Sequence, residues 1–436
     1  MGCYIDKMRR KFFACLFIVS LARHALFADS LSAGPLTLAQ VQQLALRNNA
    51  DLRIAQSQAD AALAQLRAVR EFPNPVAGYS VGKINSDGRS NATNDGHGFW
   101  NRSYDSVFSL SQFIELGKRR VRRASAEAGV QSAEAMRDEA RRLLLQSVDQ
   151  LYLSAVEASE EVRVLTESAA SLRREAGIAA TRFHAGDIAA SDQAQIEIAA
   201  AQWELSAMTA RANARGAIVA LEKLLGLPEP RGETILADPL DRTLALSPDA
   251  ETSAGLRPDL VAAEAGLKKS EADLTLQRHG LIPDLTVSLQ YEHQPPDQPN
   301  TVGLAFTFPL PLWNRNTGNI LAARAARNEA AAQLDRIRTQ ASADITAARI
   351  AFDEARTRAG TCQDNLLPKS AAIVRSVRYA YEKGGAALVE LLAAERNDND
   401  IRLASARAQA DAASAAFALA AALNRIEPLA LKPSVH

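Results

Sequence analysis

The chain carries two copies of one structural pattern, and this duplication limits its fold more than any other feature. Residues 183–186 interrupt a long helical stretch with a glycine, and residues 381–384 interrupt a second stretch 198 positions later. Two further markers, a proline that opens an alternating run and a short apolar segment before each long stretch, recur at offsets of 210 and 196 positions. A period of about 200 residues is too long for a solenoid repeat. We therefore predict a tandem duplication of a half-protein.

Residues 1–28 have the pattern of a secretory signal peptide. A basic start at positions 7–11 precedes an apolar run, 12–22, that is too short to span a membrane. A single anchor helix is the alternative, but Arg23 and His24 interrupt the run. Without this segment, 50 basic and 50 acidic residues become 45 and 49. A mildly acidic mature chain argues against a nucleic-acid partner, which requires a basic patch.

The sequence lacks the residue clusters of an enzyme or a metal site. No two of the six histidines are three or four positions apart, and only Cys362 of the three cysteines lies outside the signal. Zinc sites and disulfides need such groups in sets. We predict no catalytic residue, no resident metal and no cofactor.

Small and apolar residues at heptad spacing predict coiled-coil helices in both repeats. The spacing alternates between three and four residues, which is the repeat of a helix seam. Residues 117–182 contain no proline, so this helix would be on the order of 100 Å long. Cys362 is predicted to be a packing residue of the second seam rather than a nucleophile. The predicted seam residues are Val148, Leu151, Ala155, Ala158, Val162, Leu165, Ala169, Leu172, Ala176, Ala179 and Phe183, then Ile345, Ala348, Phe352, Ala355, Ala359, Cys362 and Leu366.

Between the helices, runs of about ten residues alternate apolar and polar side chains, which is typical of transmembrane β-strands around a wet lumen. Leu304, Phe306 and Phe308 would point to one side of a strand, and Gly303 and Thr307 to the other. A half-buried hairpin of a soluble protein has the same pattern. Four strands cannot close a barrel, and lipid does not tolerate an open sheet edge. Several chains must then share one barrel; three would supply twelve strands, and closure alone also permits two or four.

These patterns divide the chain into two repeats, each beginning with a helix. Residues 226–257 link the repeats, and 426–436 form a tail. Repeat one, 29–225, has strands at 72–84 and 103–114, a long helix at 117–182, a tip at 183–187 and a return helix at 188–225. Repeat two, 258–425, has strands at 283–292 and 300–309, a long helix at 316–380, a tip at 381–385 and a return helix at 387–425.

Four motifs resemble those of a known family. Residues 113–120 (FIELGKRR) are similar to the signature QPIELGGKR of outer membrane efflux proteins, and residues 309–319 (PLPLWNRNTGN) are similar to its second-repeat counterpart, PLPLFNRNxGN. Residues 182–188 and 256–260 resemble the family's helix-tip motif and its start of repeat two. The resemblance covers residues 36–425 and is strongest to the CzcC-like heavy-metal branch of the TolC family. Phe113 replaces the usual proline, which lessens the break between strand and helix.

The resemblance implies a fold that combines α-helices with membrane β-strands. In this fold a homotrimer forms a twelve-stranded β-barrel in outer membrane lipid and an α-helical barrel through the periplasm. The partners it implies are a periplasmic adaptor and an inner-membrane pump of the resistance-nodulation-division type. The expected function is passive export of cations or small toxic molecules by a tripartite efflux pump.

The resemblance also assigns roles to residues near the tips. Glu390 and Asp192 each lie six positions after a tip glycine. In the family, the acid at the place of Glu390 lines the narrow periplasmic mouth, and the acid at the place of Asp192 and a tyrosine at the place of Tyr381 hold the mouth shut. Ala386 replaces an arginine of that lock, so the lock is partial. The expected adaptor-docking residues are Phe183, Gly186, Asp187, Gly384 and Gly385.

Other interpretations fit parts of this pattern. Both acids could belong to a solvated helix face, and Tyr381 could pack in the seam. An outer membrane component of type I protein secretion would use the same fold with a different pump. A periplasmic adaptor would have one helical hairpin and lipoyl-like strands, whereas this chain has two long hairpins and two strand pairs.

Overall fold

A computed structural model describes residues 34–82, 105–240, 257–294 and 298–425. It confirms the predicted fold class, because long helices dominate and one four-stranded sheet lies where they begin. The predicted signal 1–28, the predicted tail 426–436, residues 83–104 and 295–297 of the predicted loops between strands, and part of the predicted linker 226–257 lie outside the described residues. None of the helices in the described ranges is long and apolar enough to cross a membrane.

Both repeats follow one order of elements. Repeat one contains α1 (Leu38–Asn48), α2 (Ala50–Arg70), β1 (Val76–Gly82), β2 (Asp105–Ile114), α3 (Lys118–His184) and α4 (Ala190–Leu224). Repeat two contains α5 (Pro258–His279), β3 (Leu285–Gln294), β4 (Gln298–Thr307), α6 (Thr317–Thr361), a π-helical segment (Cys362–Leu366), α7 (Leu367–Glu382) and α8 (Leu388–Ala422). We call α3 and α4 hairpin one, and α6 to α8 hairpin two. With 67 residues, α3 is about 100 Å long.

Each long helix begins directly after a residue in the left-handed backbone region. Gly117 precedes α3 with a φ of 75°, and Asn316 precedes α6 with a φ of 54°. Glycine and asparagine are the residues that adopt this conformation at low cost. Lys118 and Asp284 form an ion pair of 2.6 Å that joins the start of α3 to the start of β3. The chain thus turns from strand to helix at the same place in both repeats.

The sheet is antiparallel throughout, in the order β1-β2-β3-β4. Its register separates two faces, as the alternation predicted. Leu110, Leu289 and Leu304 lie side by side on one face. Ser111 and Ser288 lie on the other, and their hydroxyls are 2.7 Å apart. The apolar face also carries Tyr79, Phe108, Tyr291, Val302 and Phe306.

One of the two strand ends that precede a long helix is as predicted, and the other is earlier than predicted. Phe113 pairs with Thr286 inside β2, so the strand continues to Ile114 through the position where the family has proline. Phe308 follows β4 rather than belonging to it, because β4 ends at Thr307. Prolines at 309 and 311 explain this end, since proline cannot donate a backbone hydrogen bond to a neighbouring strand.

The largest apolar core lies at the equator, where the two repeats meet near the middle of α3. Tyr152 of α3 is fully buried there, and its hydroxyl donates to the Asp238 carboxylate at 2.9 Å. Leu36 and Leu236 form a β-bridge beside it, so the described part of the linker packs into this core. Apolar burial of this extent is the main stabilising contribution to a fold. Other members are Val41, Val148, Leu153, Leu221, Leu225, Ala413 and Phe417.

The seams within the hairpins follow the predicted spacing with two corrections. Cys362 packs among Ala355, Ala359, Ala408 and Ala412 as expected. Leu366, however, is 42% exposed, because the π-helical segment adds a residue to one turn and rotates the following side chains. Ser370, Val374 and Tyr381 are buried on α7 instead. Phe183 is also exposed, since it lies at the open end of its seam.

Candidate functional site at the helical tips

The two hairpin tips have the same backbone geometry. Gly186, with a φ of 82°, follows α3, and the amide of Asp187 donates to the carbonyl five residues earlier at 2.9 Å. Gly384, with a φ of 74°, follows α7, and the amide of Gly385 makes the equivalent bond at 2.8 Å. This bond around a left-handed residue is a Schellman C-cap. The tip glycines are 198 residues apart, so the structure repeats the offset seen in the sequence.

Asp192 and Glu390 occupy equivalent positions in the first turns of α4 and α8. Their amides donate to the carbonyls of Ala189 and Ala387 at 3.0 and 3.1 Å. A carboxylate in the first turn is favoured by the partial positive charge of a helix N-terminus. Asp192 is half-buried, whereas Glu390 is exposed and makes no side-chain hydrogen bond or ion pair with a residue of the described ranges. Glu390 is therefore available to an ion or to another copy of the chain.

Tyr381 fills the space between the tips of the two hairpins. Its ring is buried, and the guanidinium carbon of Arg182 lies 5.5 Å from the ring centroid. A cation at this distance is attracted to the face of an aromatic ring. The surrounding cluster consists of Ala179 and Ile196 of hairpin one and Leu388 and Leu391 of hairpin two. Tyr381 thus packs in the seam and also makes a polar contact with Arg182 of the other hairpin.

The polar contact of Tyr381 is with Arg182 rather than with Asp192. Burial raises the pKa of the Tyr381 hydroxyl, Arg182 lowers it, and Glu175 and Asp192 raise it further. Asp192 is thus close enough to influence Tyr381, but no hydrogen bond joins the two in the described structure. The lock between Tyr381 and Asp192 stays a prediction for the assembled protein.

The family model described as "Outer membrane efflux protein" matches residues 41–227 and 251–425. The chain belongs to this family. The matched ranges contain all four strands and both hairpins, which are the elements that carry the internal repeat.

Two relatives of this outer membrane efflux protein come from Cupriavidus metallidurans. The cobalt-zinc-cadmium resistance protein CzcC is 26% identical over 371 residues, which are 84% of this chain and 84% of CzcC. The nickel and cobalt resistance protein CnrC is 27% identical over 264 residues, which are 60% of each chain. The predicted resemblance to the CzcC-like branch is therefore confirmed.

Solved structures of outer membrane channels share the fold. The Campylobacter jejuni CmeC outer membrane channel superposes with a TM-score of 0.72 at 21% identity, covering 89% of this chain and 87% of CmeC. CusC superposes with the same TM-score at 17% identity, covering 88% of this chain and 91% of CusC. These structures show the fold, and membership of the outer membrane efflux family identifies the chain as an efflux channel of the outer membrane that extends into the periplasm.

The structure reveals a group near the tips that the sequence patterns did not indicate. Arg378 of α7 contacts Glu395 of α8 together with Glu175 and Ser171 of α3. Arg378 lies one helical turn before Tyr381 on the same face, and this spacing in the sequence could have indicated that its side chain points toward hairpin one. Periodicity of apolar residues does not detect it, because charged residues occupy these buried positions. No group of His, Cys, Asp and Glu in the described ranges has the arrangement of a metal site.

Proposed function

We propose that this efflux channel works as a homotrimer that exports divalent metal cations. The main support for a trimer is the open sheet: within the described residues, β1 and β4 each pair with one strand only. Lipid does not tolerate such edges, so β4 of one copy would pair with β1 of the next. Three sheets would then form a twelve-stranded barrel, with the apolar face toward lipid and the polar face toward the lumen.

The proposed cargo is supported by the names of two relatives and by the negative charge of Glu390. CzcC and CnrC are named for resistance to cobalt, zinc, cadmium and nickel. The pyoverdine export protein OpmQ of Pseudomonas aeruginosa is 28% identical, but over only 56% of this chain. The longer match to CzcC favours metal cations. The duct itself would be passive and would take its energy from an inner-membrane pump of the resistance-nodulation-division type.

Glu390 supplies the charge in this proposal. Three copies of this exposed residue, each in the first turn of α8, would form an acidic ring at the periplasmic mouth. Rings of carboxylates attract cations and resist anions. Carboxylates at close range repel one another, so the ring would retain protons or bound cations. Asp192, half-buried near Tyr381, would contribute to closure instead.

The tips would dock a periplasmic adaptor. The segment 183–187, with Phe183, Gly186 and Asp187, and the Gly384–Gly385 turn lie at the end of each hairpin far from the sheet. Exposed apolar side chains surround them, including Tyr379 and Val389. Such residues at a hairpin end suit contact with another helical hairpin.

The cargo is tested in a strain sensitive to zinc, cobalt and cadmium. Expression of the channel with its adaptor and pump should raise tolerance to these ions, and detergent should extract the channel from outer membranes as a trimer. If correctly located trimers leave metal tolerance unchanged, the proposal that metal cations are the cargo is wrong. Loss of a secreted protein in the deletion strain would favour type I protein secretion instead.

The acidic ring is tested by single-channel recording in planar bilayers. Divalent cations on the periplasmic side should reduce the conductance of the purified trimer. Glu390→Ala should remove this block and weaken cation selectivity, whereas Asp192→Ala should mainly increase the open fraction. If Glu390→Ala changes neither selectivity nor block, Glu390 is only a solvated helix residue.

A further inference from the structure

Basic residues are concentrated at the level where the sheet meets the helices. Four segments lie at this level, namely 70–75, 113–127, 278–284 and 308–316, and together they contain eight basic and four acidic residues. Their net charge is therefore +4. Residues 29–436 as a whole contain 45 basic and 49 acidic residues, a net charge of −4, so the remainder of that range carries −8. Positive charge is thus separated from the rest of an acidic chain.

Side-chain contacts show that these segments share one level. The guanidinium of Arg119, in the first turn of α3, donates to the carbonyl of Arg70 at the end of α2 at 2.5 Å. The amide of Asn316, directly before α6, donates to the carbonyl of Gln277 near the end of α5 at 2.8 Å. All four helix ends therefore meet directly below the sheet.

Half of the bases at this level have acidic partners, and three exposed ones do not. Three of the acids pair with four bases, in the contacts Lys118–Asp284, Arg122–Glu115, Arg123–Glu127 and Arg70–Glu127. Arg119 is half-buried and lies over the Phe72 ring, 3.4 Å from its centroid. Within the described residues, the other three bases are exposed and form no ion pair. We call these three, Arg120, Arg278 and Arg315, the basic belt.

The phase of α3 indicates which way Arg120 points. Arg119 and Glu127 face α2, whereas Ser125 and Gly129 face α5. At 3.6 residues per turn, these contacts divide the circumference of α3 into arcs of about 140° and about 220°. Arg120 lies on the wider arc. In a closed ring of helices the wider arc between two neighbours is the outer one, so Arg120 would point away from the lumen.

Exposed apolar residues accompany the basic belt. Leu310, Leu312 and Trp313 follow β4 directly and are 65%, 60% and 92% exposed. Phe306, on the apolar face of the sheet, is only a few residues earlier. Tryptophan is enriched where the hydrocarbon of a membrane gives way to head groups. Trp313 lies two positions before Arg315, so the basic belt continues the surface that would face lipid.

We propose that the basic belt binds the phosphate groups of anionic phospholipids in the periplasmic leaflet of the outer membrane. The inference rests on the proposed trimeric barrel and concerns a different surface from the tips. Guanidinium groups bind phosphate oxygens through paired hydrogen bonds, and each basic side chain near an anionic membrane surface adds to the affinity. The same charges inside the lumen would repel the proposed metal cations, which also favours an outward position. The bound lipids would fix the depth of the barrel in the membrane.

The test measures which lipids the purified trimer retains. Trimers stripped of lipid are mixed with equal amounts of phosphatidylglycerol and phosphatidylethanolamine of the same acyl chains, and native mass spectrometry counts the bound lipids. The wild type should prefer the anionic phosphatidylglycerol. The double variant Arg120→Gln/Arg315→Gln should lower this preference by roughly fivefold for each arginine removed.

The matched control is the double variant Arg173→Gln/Arg407→Gln. It also removes two arginines, each with a side chain that is 74% exposed, at ion pairs on the hairpins far from the sheet. Its preference should equal that of the wild type. If the belt variant does not assemble, Arg120→Gln alone replaces it and should lower the preference by roughly fivefold.

The outcomes separate this proposal from the channel function. Conducting trimers without a preference for phosphatidylglycerol, or equal preferences in the belt variant and the control, overturn lipid binding and leave the channel intact. In planar bilayers, a belt variant with altered ion selectivity and unchanged lipid retention would show that the arginines face the lumen, and the proposal would be wrong. A wild type that forms neither trimers nor channels overturns the proposed function itself.

Discussion

Helices α3 and α8 contact each other in two regions of opposite chemistry. At the equator, Tyr152 and Phe417 belong to one apolar core that also holds the linker and the first helix. Toward the tips, polar contacts between α3 and α8, such as Glu157–Arg407 and Ser168–Asn399, replace most of that core. Leu392 and Leu403 of α8 add smaller apolar contacts along this stretch, and a further apolar cluster surrounds Tyr381 at the tip.

This difference indicates which part of the molecule is fixed and which part can separate. Water cannot replace apolar contacts, so the equatorial core joins the hairpins permanently. Water can solvate separated ion pairs, so the polar stretch can open at a smaller cost. This distribution suits the proposed channel, in which the mouth would move and the equator would stay fixed.

The largest expected effect is at the equator. Tyr152→Ala should destabilise the protein by about 3–5 kcal/mol, because it leaves a cavity in the core. Tyr152→Phe should cost about 1–3 kcal/mol, because it keeps the ring and removes only the hydroxyl, which lies within hydrogen-bond distance of Asp238 and of the Leu36 carbonyl. Thermal unfolding in detergent measures both. Equal losses in the two variants would show that packing at the equator is not what joins the repeats.

The pH dependence of stability should also originate at the equator. Burial raises the pKa of Asp149 to about 7 from its usual value of 3.8, although a hydrogen bond from Gln42 lowers it. Because the folded pKa is the higher one, the stabilisation from this group is complete below pH 3.8 and is lost as the pH rises to about 7. Wild-type stability should fall in this window by up to about 1.4 kcal/mol per pH unit.

Asp149→Asn is the matched control, since it keeps the shape of the side chain without a titrating proton. Its unfolding temperature should depend less on pH than that of the wild type between about pH 4 and about pH 7. Identical pH profiles for the two proteins would contradict the assignment to Asp149.

At the tips, we expect substitutions of the glycines to act by straining the backbone of the turns. A side chain at Gly186 or Gly384 meets no atom within 4 Å, so Gly186→Val and Gly384→Val strain only the left-handed turn, by about 1–2 kcal/mol. Efflux should be lost in both while trimers remain in the membrane, because the turns are the proposed adaptor contacts. Gly177→Val is the control, since Gly177 lies within α3 and also has no close neighbour. Unchanged metal tolerance in both tip variants would count against docking at the tips.

The smallest effect is expected in the polar stretch. Arg407→Ala should change the free energy of unfolding by about 0–1 kcal/mol, because its pair with Glu157 is largely exposed. The same thermal measurement applies. A loss as large as that of Tyr152→Ala would mean that the two regions do not differ in strength.

Local patterns predicted most of the elements correctly because each pattern has one dominant period. The alternation around Leu289 and Leu304 assigned both faces of the sheet, since a shift by one residue would reverse every side chain. Heptad spacing placed Cys362 in its seam. The same rule was wrong for Leu366, because a π-helical turn has no signature in the spacing of apolar residues.

The sequence by itself determined the strands, the long helices and the tip glycines, because each depends on residues close together in the chain. It also determined the duplication, because these local patterns recur about 200 positions apart. Only the tertiary structure decided which hairpin residues meet. Arg378 and Glu175 are 203 positions apart, and the ion pair forms because α8 packs against both α3 and α7 and brings these two long side chains within reach near the tips. Tyr381 and Arg182 meet for the same reason. The spacing of charged residues predicts partners within one helix, such as Arg163 and Glu167, whereas partners on different helices are set by packing between repeats.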